Sequence, residues 1–292
     1  MNVLHNNALE VKGLSKTLGN FHLNSISFTL PKGYIMGYVG QNGAGKTTTI
    51  KLIMEQLKHR QGTIKVNGLA CEDDEIIYKD SIGFVADESY FPSDFTIKDI
   101  ELTMKDFYPS FDLEKFGDLV NLWNLPYKKK NKDLSKGMKI KLMFATVLAR
   151  DTKILILDEA TSGLDPVMRS EVLDILQEYI QAGERSVLFS THIMSDLERI
   201  ADQIFFLDNG QKVFEGYKDD ILEEYVLVKG GLEDLSMDKE KEFTGLRKSA
   251  LGFEGLLKTD KETIIYNDWV ITRPSIEEII VMTIQGLRGN RA

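Results

Sequence analysis

The chain has 292 residues, enough for one large domain and one small domain. Its 42% hydrophobic and 28% charged residues are typical of a soluble globular protein. The net charge of −9 argues against a nucleic-acid binder, because such proteins usually carry a basic face, and the one strong basic run lies at residues 128–132. A single cysteine, Cys71, excludes an internal disulfide and indicates a reducing compartment.

The apolar runs are too short to span a bilayer, so any membrane role is expected to use a partner. The first part of the chain predicts antiparallel strands, because residues 9–30 alternate loosely between polar and apolar before a turn at Pro31. An apolar run at 34–39 indicates a buried strand. A shorter alternating strand at 62–66 ends in an Asn67-Gly68 turn, and residues 82–86 predict a further strand.

The stretch after the buried strand reads Gly-Gln-Asn-Gly-Ala-Gly-Lys-Thr and fits the phosphate-loop pattern G-x-x-x-x-G-K-[ST] in full. Its glycines allow backbone N–H groups to approach a phosphate, and the helix that opens at Lys46 directs its positive dipole end to the same place. We expect Lys46 to reach the β- and γ-phosphates and Thr47 to bind Mg²⁺ through its hydroxyl. The predicted nucleotide-binding residues of this segment are Gly40, Asn42, Gly43, Ala44, Gly45, Lys46, Thr47 and Thr48.

Residues 88–150 predict a helical insert, with helices opening near Thr96, near residue 111 and near residue 139. The apolar run at 154–157 then predicts a central parallel strand, and Asp158-Glu159 stand at its carboxyl end, where open α/β sheets bind ligands. An Asp-Glu pair alone is usually a solvated strand end. Downstream of a phosphate loop, Asp158 is expected to hold Mg²⁺ and Glu159 to act as general base.

The remaining chain predicts a helix capped at Asp165, a strand at 186–190 followed by His192, and a hairpin at 208–210. Strands at 225–228 and 263–271, with a helix opening at Ser275, predict a small α+β region. We therefore expect a nucleotide-binding domain at residues 1–222 and an accessory domain at 223–292.

The segment Leu134-Ser135-Lys136-Gly137-Met138 is similar to the signature Leu-Ser-Gly-Gly-Gln of the ATP-binding cassette (ABC) family and precedes the strand of Asp158, as the family order requires. With the phosphate loop and Asp158-Glu159, it makes residues 9–216 resemble the nucleotide-binding subunits of that family. The resemblance implies an α/β fold: a P-loop ABC ATPase core with an antiparallel β subdomain and a helical subdomain, followed here by the small α+β region.

The resemblance also implies that the chain binds ATP and Mg²⁺ and forms a head-to-tail dimer, with itself or with a paralogous subunit. Each ATP would lie between Lys46 of one subunit and Ser135 and Gly137 of the other. Asp165 would lie in a loop that contacts the opposite subunit, and His192 would sense the γ-phosphate.

Several positions depart from the family pattern. Leu18 stands where the family usually stacks adenine on an aromatic residue, and it offers no π-face. Asp87 stands where glutamine usually links the metal and γ-phosphate to the membrane partner, so we expect it near the nucleotide and the metal. Within the signature, Lys136 and Met138 replace the usual glycine and glutamine.

The function predicted from these features is an ATPase subunit that acts from the cytoplasmic face on a separate integral membrane permease. It is expected to power export of a drug, peptide or lipid-like substrate, and no nucleic-acid partner is expected. One alternative is a soluble ABC ATPase acting on ribosomes or DNA, which the acidic charge and single phosphate loop disfavour. Another is a non-transport regulatory module that binds ATP, which Glu159 and His192 disfavour.

Overall fold

The computed structural model describes residues 6–58, 61–259 and 269–289. The chain divides into two compact units, Met1–Glu215 and Gly216–Ala292. The domain boundary that we expected from the sequence, at 222/223, lies at a different position and stays a prediction. Within the described ranges, no helix is both long enough and apolar enough to cross a membrane.

The first unit begins with a three-stranded antiparallel sheet in the order β2-β1-β4, formed by β1 (Asn7–Leu18), β2 (Phe21–Pro31) and β4 (Gln61–Val66). The turn after β4 uses left-handed backbone at Asn67 and Gly68, with φ of +50° and +84°. The predicted antiparallel subdomain and its Asn-Gly turn are therefore confirmed.

A six-stranded sheet, in the order β5-β6-β7-β3-β8-β9, forms the centre of the first unit. Strands β5, β6, β7, β3 and β8 run parallel to one another, and β6 is apolar and buried as the sequence predicts. Because the strands are parallel, the segments that follow β3, β5, β6 and β7 leave from one edge of the sheet. The strands are β3 (Ile35–Gly40), β5 (Ile82–Ala86), β6 (Ile154–Asp158), β7 (Ser186–Ser190), β8 (Gln203–Asp208) and β9 (Gln211–Tyr217).

Helices complete the first unit. The helices that connect strands of the two sheets are α1 (Lys46–Ile53), α2 (Glu75–Asp80), α6 (Pro166–Ile180) and α7 (Met194–Ile200). The helical insert contains α3 (Ile97–Phe107), α4 (Leu113–Leu122) and α5 (Lys136–Leu148). These three helices share an apolar core of their own that includes Ile100, Phe116 and Leu142. The predicted cap of α3 is confirmed, because Thr96 and Asp99 form a reciprocal capping box.

A buried arginine, Arg150, fastens the insert to the sheet where the chain returns from α5. Its Nη2 donates to the carbonyls of Asp80 at 3.1 Å and Lys79 at 3.4 Å, and also to that of Ile82. Its guanidinium lies 3.8 Å from the ring centroid of Tyr108, the residue that ends α3. One side chain thus joins three segments of the unit.

The second unit is an α+β structure whose four-stranded antiparallel sheet has the order β11-β12-β10-β13. Ser275 and Glu278 form the predicted capping box, since the Glu278 carboxylate accepts the Ser275 N–H at 2.7 Å and the Ser275 hydroxyl accepts the Glu278 N–H at 3.1 Å. Residues 263–268 of the predicted strand at 263–271 lie outside the described ranges, and the neighbouring strand begins at Val270. The elements are α8 (Lys218–Glu224), β10 (Tyr225–Gly230), α9 (Met237–Glu240), β11 (Phe243–Ser249), β12 (Gly252–Lys258), β13 (Val270–Thr272) and α10 (Ile276–Gly289).

Candidate active site

The phosphate loop, residues 40–47, joins β3 to α1, and its backbone requires glycine. Gly43 and Gly45 have φ of +82° and +114°, a region that side chains other than glycine rarely adopt. A Cβ atom at Gly40 would lie 2.4 Å from the carbonyl oxygen of Leu207 on β8. The loop can therefore curl tightly against the sheet and leave its N–H groups near the start of α1.

Lys46 opens α1 and has only 6% of its surface exposed. Its Nζ donates to the carbonyl of Gly40 at 2.8 Å and lies 3.4 Å from Oε1 of Glu159. The unpaired N–H groups of the first helical turn and this ammonium face the same loop. Such an arrangement favours a polyanion such as a nucleotide phosphate.

Asp158 ends β6 and carries a buried acceptor, Oδ1, for which the described residues provide no hydrogen-bond donor. Burial raises the pKa of the Asp158 carboxyl, and the side chains of Thr47 and Ser190 act against that rise. A carboxylate in this position needs a cation. Mg²⁺ fits this donor set, because it is typically bound by one or two carboxylates, a hydroxyl and nucleotide phosphates.

Glu159 has φ of +55°, which is uncommon for a residue other than glycine. The backbone is held there by the Glu159 N–H, which donates to the carbonyl of Ser190 at 3.0 Å. Its two carboxylate oxygens contact different groups, Oε1 the ammonium of Lys46 and Oε2 the Nδ1 of His192. The turn after β6 thus directs a base between a cation and an imidazole.

These groups open into one cleft of about 640 Å³. Asp87, which follows β5, is exposed there beside Glu159, as expected from the pairing of Ala86 with Asp158 in the sheet. Leu18, the last residue of β1, also lines the cleft. The predicted site residues that line the cleft are Leu18, Asn42, Gly43, Gly45, Lys46, Thr47, Thr48, Asp87, Glu159 and His192. Gly40, Ala44 and Asp158 belong to the supporting segments and do not line it.

Ser135, Gly137 and Asp165 do not line this cleft. Ser135 caps α5, with its hydroxyl accepting the Met138 N–H at 3.3 Å, and Asp165 caps α6. A Cβ atom at Gly137 would touch the side chain of Met168 at 3.4 Å, so the two helix starts are neighbours.

Comparisons with known proteins agree with this geometry. A family model described as ABC transporter matches residues 23–162. The ABC transporter ATP-binding protein YtrB of Bacillus subtilis is 31% identical over 221 residues, which cover 75% of this chain and 75% of that protein. The chain belongs to the ABC transporter family. It is an ATP-binding subunit of that family, and the ATPase domain it contains supports ATP hydrolysis.

Other relatives and solved structures are consistent with that assignment. The Nod factor export ATP-binding protein I of Rhizobium johnstonii is 32% identical, covering 75% of this chain and 72% of that protein. A solved ATP-binding subunit of an ABC transporter superposes with a TM-score of 0.68 at 28% identity, covering 74% of this chain and 92% of that one. A dimeric ATP-binding cassette bound to ADP and Pi, 21% identical with a TM-score of 0.63, covers 72% of this chain and 98% of that one and shows the same fold.

Three cleft residues, Phe21, Gln41 and Ser162, were not among the predicted site residues, although Gln41 lies within the predicted phosphate loop. Ser162 lines the cleft from the turn that follows Glu159. Phe21 lines it from the first position of β2, directly opposite Leu18 in the β1–β2 ladder. The signal for Phe21 was present in the short hairpin, since cross-strand partners lie on the same face of a sheet.

Proposed function

We propose that the chain is the ATP-hydrolysing subunit of an ABC exporter and acts from the cytoplasmic face on a separate integral membrane permease. The observation that carries this proposal is the grouping of Lys46, Glu159 and His192 in one cleft at the phosphate loop. The export relatives support the direction of transport, since proteins named for Nod factor export match over 75% of this chain. A drug, peptide or lipid-like substrate is the proposed cargo.

The proposed mechanism assigns one task to each group. Lys46 and the N–H groups of the phosphate loop hold the β- and γ-phosphates, and Glu159 accepts a proton from the attacking water. His192 orients Glu159 and senses the γ-phosphate. Thr47, Asp158 and Asp87 are the residues that would hold Mg²⁺, which supplies charge neutralisation when bound.

The proposed assembly is an ATP-dependent head-to-tail dimer. Ser135 and Gly137 lie outside the cleft of their own chain, as they must if they serve the nucleotide of a second copy. The start of α5 would then direct its N–H groups at that γ-phosphate. Asp165 would stand in the loop that faces the other subunit.

A groove at the carboxyl end of α3 supports a protein partner. It encloses about 390 Å³ and is lined by apolar and aromatic side chains that include Phe84, Met104 and Tyr108. Phe107, at the neighbouring end of α3, has 76% of its surface exposed. Exposed apolar surface of this kind marks interaction sites, and a cytoplasmic segment of the permease is the proposed occupant.

Affinity purification of the tagged chain from detergent-solubilised membranes tests this function. We expect a multi-span membrane protein in near-equal amounts. Phe107→Glu should reduce its recovery, whereas Leu122→Glu, at an equally exposed leucine on α4, should not. Recovery of ribosomes or DNA-binding proteins in place of a membrane protein would support the soluble ABC ATPase and contradict the transporter. Export is tested by ATP-driven uptake of labelled lipid, peptide or drug into inside-out vesicles.

A further inference from the structure

Two helices of the first unit begin close to the cleft. Helix α6 begins at Pro166, in the segment that follows Glu159, and helix α7 begins at Met194, just after His192. The carboxylate of Glu159 contacts the imidazole of His192, so the segments that precede the two helices meet at the cleft. The position of His192 therefore depends on how the start of α7 is held.

The first turn of α7 has no cap of its own. Its N-cap residue is Ile193, whose side chain cannot accept a hydrogen bond, and no side chain of the described residues caps the helix. The middle of α7 packs against β3, since a Cβ atom added at Gly37 would lie 2.4 Å from Cδ2 of Leu197. A restraint on the end next to His192 has to come from another element.

Arg169, in the first turn of α6, supplies that restraint. Its Nε lies 2.5 Å from Oδ1 of Asp196, and its Nη2 donates to the hydroxyl of Ser195 at 2.6 Å, so both contacts fall in the first turn of α7. Asp196 has only 1% of its surface exposed, and its Oδ2 has no hydrogen-bond partner in the described part of the chain. Because a buried carboxylate without a cation is costly, the guanidinium is held firmly in this place.

We propose that Arg169 is a positioning residue for ATP hydrolysis, whose ion pair with Asp196 holds the start of α7 so that His192 stays in contact with Glu159. The contacts form a closed ring, in which Glu159 meets His192 at the cleft and α6 binds α7 one helical turn away. A displacement of about 1 Å at a reacting group can cost about 100-fold in rate. The proposal rests on the proposed roles of Glu159 and His192 and adds the residue that keeps them together.

A second arginine joins the same two helices farther from the cleft. Arg199, in the last turn of α7, donates through Nη1 to the hydroxyl of Ser170 at 2.9 Å and through Nη2 to Oδ1 of Asp174 at 2.6 Å. Its side chain is 40% exposed, as expected of a surface ion pair of little energetic weight. Arg199 is therefore a matched control, with the same residue type between the same helices at the opposite end of α7.

Steady-state ATPase kinetics of the two arginine variants test the proposal. Arg169→Met should lower kcat about tenfold or more, while KM for ATP and the affinity for ADP measured by calorimetry change less than about twofold. Arg199→Met should keep kcat within about twofold. Arg169→Lys keeps the charge but not the planar fork that binds both Ser195 and Asp196, so its kcat should fall between those of the parent chain and Arg169→Met.

The nitrogen chemical shifts of the His192 ring, assigned with His192→Gln, provide a readout that a purely structural role would leave unchanged. They should change in Arg169→Met and stay the same in Arg199→Met, because only the first substitution frees the start of α7. Unchanged His192 shifts in Arg169→Met, or equal kcat losses in the two methionine variants, would overturn the proposal.

A double variant, Arg169→Met with Asp196→Leu, covers the case in which Arg169→Met does not fold, since it leaves no buried charge unpaired. A kcat that stays low in this double variant supports the positioning role. A kcat equal to that of the parent chain would mean that Arg169 only neutralises Asp196, and the proposal would be wrong. Absence of ATP hydrolysis by the parent chain, by contrast, would contradict the proposed function itself.

Discussion

The carboxylate of Glu159 contacts the ammonium of Lys46 with one oxygen and the imidazole of His192 with the other. An amide of the same shape cannot accept a proton from water. We therefore expect Glu159→Gln to bind ATP but to hydrolyse it at least about 100-fold more slowly, a loss typical of removing a general base. Size-exclusion chromatography with ATP should show the variant accumulating as a dimer.

Glu178→Gln is a suitable control, because Glu178 is exposed on α6 outside the cleft. It should leave both turnover and elution volume unchanged. Turnover of Glu159→Gln at the rate of the parent chain would remove Glu159 from the role of base.

Asp87 brings a negative charge to a position exposed in the same cleft. At an effective dielectric constant of about 20, unit charges about 4 Å apart interact by roughly 4 kcal/mol, which favours contact with Mg²⁺ over contact with a bare phosphate oxygen. Asp87→Asn removes the charge at constant shape. It should raise the Mg²⁺ concentration for half-maximal ATPase activity several-fold and change ATP affinity less.

A magnesium titration shows the difference directly, with Glu88→Gln as a charge-matched neighbour that does not line the cleft. An unchanged titration curve for Asp87→Asn, together with unchanged transport, would leave Asp87 with only a local role in its loop.

At the scale of elements, α5 carries the signature at its first turn. Ser135 caps this helix and stands outside the cleft of its own chain. Ser135→Arg should therefore abolish hydrolysis, because the bulky cation would occupy the site facing a second copy, while ATP affinity of the monomer should change less than about twofold. Calorimetry on the monomer and a steady-state ATPase assay measure the two effects.

Loss of the cap itself costs about 1 kcal/mol and must be separated from the effect on catalysis. Ser236→Arg removes the same kind of cap from α9 in the second unit and should leave hydrolysis intact. A large loss of ATP affinity in monomeric Ser135→Arg would mean that Ser135 serves its own phosphate loop.

Arg150 connects α5 to the end of α2 and to Tyr108 at the end of α3. Arg150→Met leaves the carbonyls of Asp80 and Ile82 without this donor, so it should lower the free energy of unfolding by about 3 kcal/mol and the Tm by roughly 6–12 °C. Thermal unfolding of the nucleotide-free chain measures this. Arg185→Met, at a more exposed arginine beside Tyr179, should cost less than about 1 kcal/mol, and equal losses would contradict the connecting role of Arg150.

Elements that are identified by a short pattern of neighbouring residues were predictable from the sequence. The Asn67-Gly68 turn, the Thr96 capping box and the apolar strand before Asp158 are examples, because each depends on neighbouring residues alone. The structure also contains α2, which begins in what looks like an acidic loop, and β11, which follows a highly charged stretch. Asp74 caps α2, which is a local signal, but the Tyr78 hydroxyl of α2 donates to the carbonyl of Ile53 and β11 packs against α10, and no local pattern reveals these longer-range contacts.

The same distinction applies to the candidate site. Motifs identified the phosphate loop and Asp158-Glu159, since their spacing is fixed by chemistry. The left-handed backbone of Glu159 and the contact of Phe21 with Gly45 join residues that a motif does not relate. The assigned roles of these residues stay predictions until they are measured.

At the scale of the whole molecule, a head-to-tail dimer makes a quantitative prediction about mixtures. Lys46→Ala and Ser135→Arg should each be inactive alone. A mixed dimer, however, retains one site with an intact Lys46 and an intact Ser135, and random pairing places half of the molecules in mixed dimers. An equimolar mixture should therefore recover about a quarter of the parent ATPase activity.

Mixing the two purified variants before a steady-state assay measures this recovery, and mixing Lys46→Ala with Glu159→Gln provides the control. Those two residues belong to the same cleft of one chain, so no mixed dimer has a site with both residues intact, and this mixture should show no recovery. A second control places both substitutions, Ser135→Arg and Lys46→Ala, in one chain and mixes that chain with the parent. No mixed dimer of this kind has a site with both residues intact. Absence of recovery in the first mixture, or equal activity in the first mixture and the control, would contradict pairing of Lys46 with the Ser135 of another copy.

The backbone conformation of Glu159 has a consequence for attempts to stabilise the protein by mutation. With φ of +55°, position 159 is one at which glycine or asparagine would relieve local strain. A redesign guided only by thermal stability would therefore favour replacing Glu159, the carboxylate on which turnover is proposed to depend. The stabilised variant would still bind its nucleotide but would not hydrolyse it. Selection for stability alone would therefore yield ATP-binding proteins that have lost their ATPase activity.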